Sequence, residues 1–294
     1  MSTPFVDAHI HLWELGHPEL SYTWLEGDVD PVLGPLAEMQ IPLWDARRYL
    51  HATRHLDVRA AVHVQAASAP GDPVAETRWL AKQHDETGVP HVIIGRVELL
   101  GEDVGSVLDR HLEASGLVRG ARDMTLAGHI DDPRLDEALE ALERRGMSWD
   151  LHCFHEEMPI ARTVAQRHPG VPTVLGHAGF PLERTDEYFS AWAAGIRELA
   201  RAEHVRCKIS GLGMADHDWT VDSWRPWFET CVEAFGVDRC MLATNWPVDR
   251  SYASVDAVLA TFETLTASLT AAERTSLFSD NAIDHYRIPV EVEA

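Results

Sequence analysis

The feature that most constrains the fold is a regular alternation of short apolar runs with amphipathic segments along the whole chain. Eight runs have the length and composition of buried strands. They lie at 5–11, 58–67, 91–99, 117–122, 147–153, 171–177, 204–210 and 239–245. Strands separated by single helices must run parallel. The sequence therefore predicts an α/β protein, a single-domain (β/α)8 barrel over residues 1–294.

The segments between these runs carry explicit helix signals. In "DDPRLDEALEALERRG", Asp132 can cap the helix, Pro133 suits its first position and Gly146 can end it. The segment "GDPVAETRWLAKQHDETG" has the same order of signals and ends at Gly88. A doubly wound open sheet is the alternative fold, but it usually has a glycine-rich phosphate turn after an early strand, and this chain has none there.

The region 13–50 departs from this rhythm, because it is long and rich in Pro, Trp and Gly. Connections of that length are usually functional. We expect it to form a lid or wall over the mouth of the barrel.

Charge and composition narrow the functional classes. With 25 basic and 47 acidic residues the formal charge is −22, which disfavours binding to nucleic acids and to anionic membranes. We expect a small-molecule substrate and leave a homo-oligomer open. The four cysteines have no C-x-x-C spacing, no basic-apolar leader opens the sequence, and no apolar stretch approaches the ~20 residues that span a bilayer. These features predict a reduced, cytoplasmic protein.

Polar side chains stand at the carboxyl end of every predicted strand, where (β/α)8 barrels place their chemistry. A barrel without a function could have apolar residues at these strand ends equally well, so the polar pattern favours a functional site. The residues are His9, His11, His63, Gln65, Arg96, Glu98, Arg122, Asp123, His152, His177, Lys208, Ser210 and Asn245.

The first strand, "FVDAHIHLW", places two histidines one residue apart. Strand alternation predicts that Asp7, His9 and His11 share one face, with Asp7 orienting an imidazole. Burying two polar rings side by side costs free energy unless something satisfies both. His9, His11 and His177 are therefore the strongest candidates for a common site.

Several other strand-end residues also have a structural interpretation. His63 fits a core histidine as well as a site residue, and Arg96 is expected to pair with Glu98. Lys208 is assigned to substrate binding, with an ion pair to a carboxylate between barrel and helices as its alternative.

Seven motifs together give the chain a recognisable resemblance: "DAHIHLW", "YTWL", "RGARD", "VLGHAGFP", "CKISGL", "RCMLATNWPVD" and "SLFSDNAIDHYRI". From Val6 to Ile288 the chain resembles amidohydrolase-related proteins of the lactonase branch, which includes L-fuconolactonase-like, L-rhamnonolactonase-like and pyrone-dicarboxylate lactonase-like enzymes. The resemblance implies a (β/α)8 barrel that hydrolyses the ring ester of a sugar acid or a related small carboxylic acid.

The resemblance also implies roles for individual residues. His9 and His11 match a first-strand pair and His177 a sixth-strand histidine, which bind metal in some relatives and polarise the carbonyl in metal-free ones. One divalent cation, most plausibly zinc, and a metal-free site both stay open. Arg122 matches an arginine that binds a carboxylate or hydroxyl group.

One position departs from the family pattern. Most of the superfamily ends the eighth strand in an aspartate that takes the proton of the attacking water, whereas this chain has Asn245. An amide cannot accept that proton. Without a metal, a histidine of near-neutral pKa, His177 or His152, is then the expected base, and Asp249, in the loop that follows Asn245, is a third candidate.

The sequence thus predicts a lactone hydrolase. Two alternatives stay open: a metal-dependent decarboxylase or C–C hydrolase of the same superfamily, and a non-catalytic barrel that binds a small acid or a partner. The predicted site residues are His177, Asn245 and His152 for catalysis, Arg122, Gln65, Trp246 and Lys208 for substrate binding, and His9, His11 and His177 for a metal.

Overall fold

Eight parallel strands form one sheet in the order of the sequence, in a computed structural model that describes residues 3–289. The strands are β1 (Phe5–Ile10), β2 (Val58–Val64), β3 (Val92–Arg96), β4 (Val118–Arg122), β5 (Ser148–Leu151), β6 (Thr173–Leu175), β7 (Val205–Ile209) and β8 (Cys240–Leu242). The sheet closes just beyond β8, where the His11 N–H donates to the Trp246 carbonyl at 2.9 Å. The predicted (β/α)8 barrel is confirmed, and a doubly wound sheet is excluded.

Helices surround the barrel and connect its strands. They are α1 (Ala46–Thr53), α2 (Ala75–Thr87), α3 (Val104–Ala114), α4 (Arg134–Arg144), α5 (Met158–Arg167), α6 (Asp186–Leu199), α7 (Val221–Phe235), α8 (Val255–Leu265), α9 (Ala271–Thr275) and α10 (Asn281–Tyr286), with a π-helical turn at Ser276–Asp280 before α10. Gly88 ends α2 at φ +81°, as the sequence predicts. Within residues 3–289 no helix is both long and apolar enough to cross a membrane.

The pairing of β1 with β2 contains a bulge. Asp7 lies opposite Ala61 and Ile10 lies opposite His63, so three steps along β1 match two along β2. One extra residue is therefore accommodated in β1 between these pairs, and the alternation of its side chains is interrupted there.

The bulge separates Asp7 from the two histidines. The Asp7 carboxylate lies outside the barrel, where it accepts hydrogen bonds from the hydroxyls of Tyr49 in α1 (3.1 Å) and Thr244 (2.6 Å). His9, within the bulged interval, and His11, beyond it, lie inside near His177. The prediction that all three share one face, with Asp7 orienting an imidazole, is wrong because a strict period of two does not survive an inserted residue.

The amino-terminal end of the barrel is closed by α10. Inside the barrel, Asp150 accepts a hydrogen bond from the Tyr286 hydroxyl at 2.8 Å. The same carboxylate forms an ion pair with Lys208 Nζ at 2.9 Å. Lys208 is 0 % exposed. Burial of two charges is tolerable here because each has a bonded partner. This closure leaves the opposite, carboxyl end of the strands as the open face.

Thr23, Trp24, Val32 and Leu33 of the segment 13–50 line a cavity at that open face. Two short antiparallel pairs stiffen it, one joining Trp13–Glu14 to Leu43–Trp44 and the other joining Val29–Asp30 to Gly34–Pro35. Its side chains reach the barrel mouth, because Trp24 Nε1 donates to the Ala66 carbonyl just beyond β2 at 2.8 Å.

Candidate active site

Three imidazoles meet at the carboxyl end of the barrel. His9 and His11 come from the end of β1, and His177 follows β6. The Nε2 atoms of His9 and His11 lie 3.1 Å apart, and the ring centroids of His9 and His177 lie 4.2 Å apart. One nitrogen from each ring falls within 4.8 Å of the others, and none of the three residues is more than 5 % exposed. The structure thus gathers the three histidines that the sequence singles out.

Hydrogen bonds from the other side of two rings orient them. His11 Nδ1 lies 2.8 Å from the Val64 carbonyl, which can only accept, so Nδ1 carries the proton and the Nε2 lone pair faces His9 Nε2. His177 Nδ1 lies 2.8 Å from the Ser210 hydroxyl. His9 Nδ1 is buried and has no hydrogen-bond partner anywhere in residues 3–289. The cluster is therefore not satisfied by protein groups alone.

The three rings are neutral at ordinary pH. Burial lowers the pKa of His9, His11 and His177 well below the usual value of 6.5, and the positive charge of Arg122 adds to this effect. Neutral imidazoles keep lone pairs for a Lewis acid. A set of three neutral histidine nitrogens with an unsatisfied buried atom among them fits a zinc-like divalent cation.

Strained backbone positions two of these side chains. His177 has φ +48° and Asn245 has φ +56°, in the left-handed region that non-glycine residues seldom adopt. Gly211 packs beside His177, because a Cβ there would lie 2.8 Å from His177 Nδ1. Such conformations are held only by their surroundings and cluster at functional sites.

Asn245 has a fixed amide orientation. Its Nδ2 donates to Asp249 Oδ1 at 2.9 Å, so its Oδ1 is turned the other way and has no partner in the described part of the chain. Asp249 is 3 % exposed and lies in the helical turn Val248–Ser251. Burial raises the pKa of Asp249 to about 7, against a lowering contribution from Asn245.

His152 does not meet the expectation of a histidine base with near-neutral pKa. Burial, with the charge of Arg122, lowers the pKa of His152 to about 3, and the pKa of His177 is also lowered. Burial and the nearby arginine charge thus both work against protonation of these two rings. Asp249, bonded to Asn245 at this end of the barrel, is a buried group whose pKa is shifted close to neutral.

Arg122 ends β4 with its guanidinium against Gln65. Arg122 Nε donates to Gln65 Oε1 at 3.0 Å and its Nη2 donates to the Gln65 carbonyl. Burial lowers the pKa of Arg122 to about 10, so the side chain stays charged at neutral pH. Its other N–H groups are available to an oxyanion or carboxylate.

Two strand-end residues have structural roles. Arg96 Nη2 donates to the Gly71 carbonyl at 2.6 Å, and the predicted pair with Glu98 is not found among the ion pairs of the described residues. His63 is 0 % exposed with Nε2 3.3 Å from the Leu12 carbonyl, as its core interpretation requires.

A cavity of about 440 Å³ opens above the histidines. Of the predicted site residues, His11, Gln65, Arg122, His152, His177 and Asn245 line it, and we call these six the cavity floor. Among the described residues, His9, Lys208 and Trp246 do not line it. His9 is the inner member of the cluster, and Lys208 lies deeper in the barrel on Asp150.

Sequence reasoning missed most of the side chains that form the upper part of the cavity. They come from loops, and we call the following six the cavity wall: Trp24, Leu33, Met124, Phe154, Phe180 and Met214. Phe154 and Phe180 follow His152 and His177 closely in sequence, which is a usable signal. Nothing in the sequence near Leu33 or Met214 marks them, because their positions depend on how long loops fold.

An eight-stranded barrel that gathers histidines, an arginine and an amide at the carboxyl ends of its strands has the architecture of a barrel enzyme. The family model described as Amidohydrolase matches residues 6–288, and the chain belongs to this family. The match confirms the resemblance inferred from the sequence motifs.

Individual relatives are similar over nearly their full length. An uncharacterized protein of Sinorhizobium fredii is 34 % identical over 96 % of this chain and 98 % of its own. An L-fucono-1,5-lactonase of Burkholderia multivorans is 28 % identical over 98 % of each chain. A crystal structure of a Burkholderia multivorans amidohydrolase with bound zinc has a TM-score of 0.82 and 25 % identity, covering 97 % of this chain and 99 % of that one.

Proposed function

We propose that this protein hydrolyses a small lactone by attack of water on the ring carbonyl. The observation that carries the proposal is the cluster of His9, His11 and His177 beside the unpartnered Oδ1 of Asn245, at the bottom of a cavity. The lactonase from Burkholderia multivorans supports the same reaction class. One water is consumed, the ester C–O bond of the ring breaks, and a hydroxy acid is released.

His9, His11 and His177 would hold a divalent cation. When bound, such a cation supplies Lewis-acid activation of water and of the carbonyl. Zinc is favoured because imidazole nitrogens are among its usual ligands and because three histidines leave a position open. The zinc-bound relative supports this choice.

Arg122 and Asn245 act on substrate and water directly. We assign to Arg122 the binding of the carbonyl oxygen as negative charge develops on it, or of a carboxylate on the substrate. We assign to Asn245 the orientation of the attacking water, which can donate a hydrogen bond to its free Oδ1. Asp249 holds the amide in the orientation that this role requires.

His152 is assigned to the leaving ring oxygen. Its low pKa keeps the ring neutral, and a neutral imidazole carries one N–H that can donate a hydrogen bond. The proton lost by the attacking water is finally carried by the ring oxygen, which becomes the product hydroxyl. The Nδ1 atom of His152 has no partner within residues 3–289, so the ring is free to take part.

His177→Ala tests the assignment. We expect kcat/KM on lactones to fall about 100-fold or more, because the cluster loses one of its three nitrogens. Initial rates and the far-ultraviolet circular dichroism spectrum are measured together. His129→Ala, at an exposed position, is the matched control and should keep full activity. Unchanged turnover in His177→Ala with a native spectrum would reject the role.

Metal content gives a second test that does not depend on activity. We expect the purified protein to contain close to one equivalent of a divalent metal, and His11→Gln to contain much less, because a ligand nitrogen is lost. Elemental analysis of both proteins after gel filtration measures this. Equal metal content in the two proteins would show that the cluster does not hold the ion.

A further inference from the structure

The cavity has two chemically different parts. Its floor consists of polar and ionisable side chains at strand ends, whereas its wall consists of apolar side chains from loops. Val32, Leu182 and Val248 extend the apolar part. A ligand that fills this cavity therefore meets hydrogen-bonding groups at one end only.

The side-chain hydrogen-bond donors of Trp24, Thr23 and Thr125, which line the cavity outside its floor, are already engaged. Trp24 Nε1 donates to the Ala66 carbonyl at 2.8 Å, so the indole presents only its ring to the cavity. Thr23 Oγ1 donates to Ser68 Oγ at 2.9 Å, and Thr125 Oγ1 donates to Asp123 Oδ1 at 2.7 Å. These hydroxyl protons are not available to substrate hydroxyl groups.

This division decides between two kinds of lactone. A polyhydroxylated ring would bury several hydroxyl groups against Leu33, Phe154, Phe180 and Met214, and each hydroxyl left without a partner weakens binding. An alkyl or aryl group at the same place gains about fourfold in affinity for each methylene removed from water. Met214 can also adapt to substituents of different shape.

We infer that the preferred substrate is a lactone with an apolar alkyl or aryl substituent, its ring carbonyl on the cavity floor and its substituent against the cavity wall. For the reacting end of the substrate, this inference rests on the proposed function. For the apolar end of the substrate, it rests on the composition of the cavity wall alone.

The test compares kcat/KM for δ-decalactone, δ-valerolactone and L-fucono-1,5-lactone. The apolar substituent should raise kcat/KM of δ-decalactone at least about tenfold above that of δ-valerolactone. L-fucono-1,5-lactone should be the poorest of the three. A preference for L-fucono-1,5-lactone, or equal values for all three, would overturn the inference.

Two variants connect the preference to the wall. Leu33→Asn keeps the number of side-chain heavy atoms and Met214→Gln adds one, and both introduce polar groups, so each should reduce the ratio of δ-decalactone to δ-valerolactone several-fold. Leu112→Asn, on the surface of α3 with 36 % exposure, is the matched control and should keep the ratio of the unchanged protein. An unaltered ratio in both wall variants would contradict placement of the substituent there.

Binding of lactams separates failure of this inference from failure of the proposed function. Calorimetry with 6-pentylpiperidin-2-one and with a polyhydroxylated δ-lactam needs no turnover. If no lactone is hydrolysed, the proposed function fails, and tighter binding of the alkyl lactam still supports the apolar cavity. If lactones are hydrolysed but the polyhydroxylated lactam binds more tightly, only the inference on the substituent fails.

Discussion

At the residue scale, the pair Asn245 and Asp249 shows how a carboxylate can act through a neighbouring side chain and not on the substrate itself. Asn245 carries an amide, which cannot take a proton, where the resemblance in sequence leads us to expect an aspartate. Asp249 lies 2.9 Å from the amide nitrogen and fixes which end of the amide faces the cavity. Asn245 thus presents a hydrogen-bond acceptor to the cavity without adding a charged group beside the histidines.

Asp249→Ala should lower kcat about 10- to 100-fold with little change in KM, because the Asn245 amide loses the acceptor that fixes it. Asp249→Asn is the control, since its amide oxygen can still accept the same hydrogen bond, and we expect it to retain most activity. Steady-state kinetics on one lactone measures both. Equal losses in the two variants would instead indicate that the carboxylate itself takes the proton.

The sequence predicts the residue types at the site better than their directions. The sequence could propose four residues of the site, because the ends of strands can be recognised in the sequence and a barrel brings them to one edge. They are His9, His11, His177 and Asn245. The sequence could not predict the position of Asp7, because the inserted residue in β1 is defined only by the pairing of β1 with β2. The pKa values of the imidazoles could not either, since burial and the distance to Arg122 exist only in the folded chain.

At the element scale, close contact between β4 and β5 constrains the barrel. A Cβ on Gly120 would lie 2.8 Å from the Ser148 carbonyl and closer still to Ser148 Oγ. The carbonyl belongs to the neighbouring strand and cannot move without disturbing its hydrogen bonds. A residue without a side chain is therefore required at this point of the sheet.

Gly120→Ala should lower the free energy of unfolding by about 1–3 kcal/mol, as overpacking in a dense interior does. Gly116→Ala is the matched control, since a Cβ there meets no atom within 4 Å. Urea denaturation followed by tryptophan fluorescence compares the midpoints. A Gly120→Ala midpoint equal to that of the control would show that β4 and β5 separate readily.

Sequence prediction is most accurate for the positions of the strands and helices. All eight strand positions could be read because apolar runs and helix caps are local signals. The observed strands are shorter than the predicted runs, as with β6, which spans Thr173–Leu175. β6 is shorter by two residues at each end, whereas β2 is shorter only at its carboxyl end, where Gln65 follows the strand and lines the cavity.

At the scale of the whole molecule, buried carboxyl groups make stability depend on pH. Burial raises the pKa of Glu76 from 4.5 to about 7, even though its carboxylate accepts N–H groups from Ala66 and Ala67. Between these pH values the folded chain binds a proton that the unfolded chain has released. Folded stability therefore falls as pH rises through this window.

Glu76→Gln should remove this part of the pH dependence. The unchanged protein is expected to lose up to about 1.4 kcal/mol of unfolding free energy per pH unit from Glu76 between pH 4.5 and 7, and the variant should lose less. Gln can still accept the two backbone hydrogen bonds. Urea titrations at several pH values measure the slopes. Glu137→Gln, at an exposed position of α4, serves as control, and identical slopes in all three proteins would contradict the assignment.

Both ends of the described chain lie at the closed side of the barrel. Tyr286 of α10 reaches Asp150 from the amino-terminal side, and Phe5, which begins β1, contacts Phe278 just before α10. A fluorescent label or solid support coupled at these described ends would thus lie on the far side from the entrance. The protein can be immobilised by its ends while small molecules still diffuse in and out.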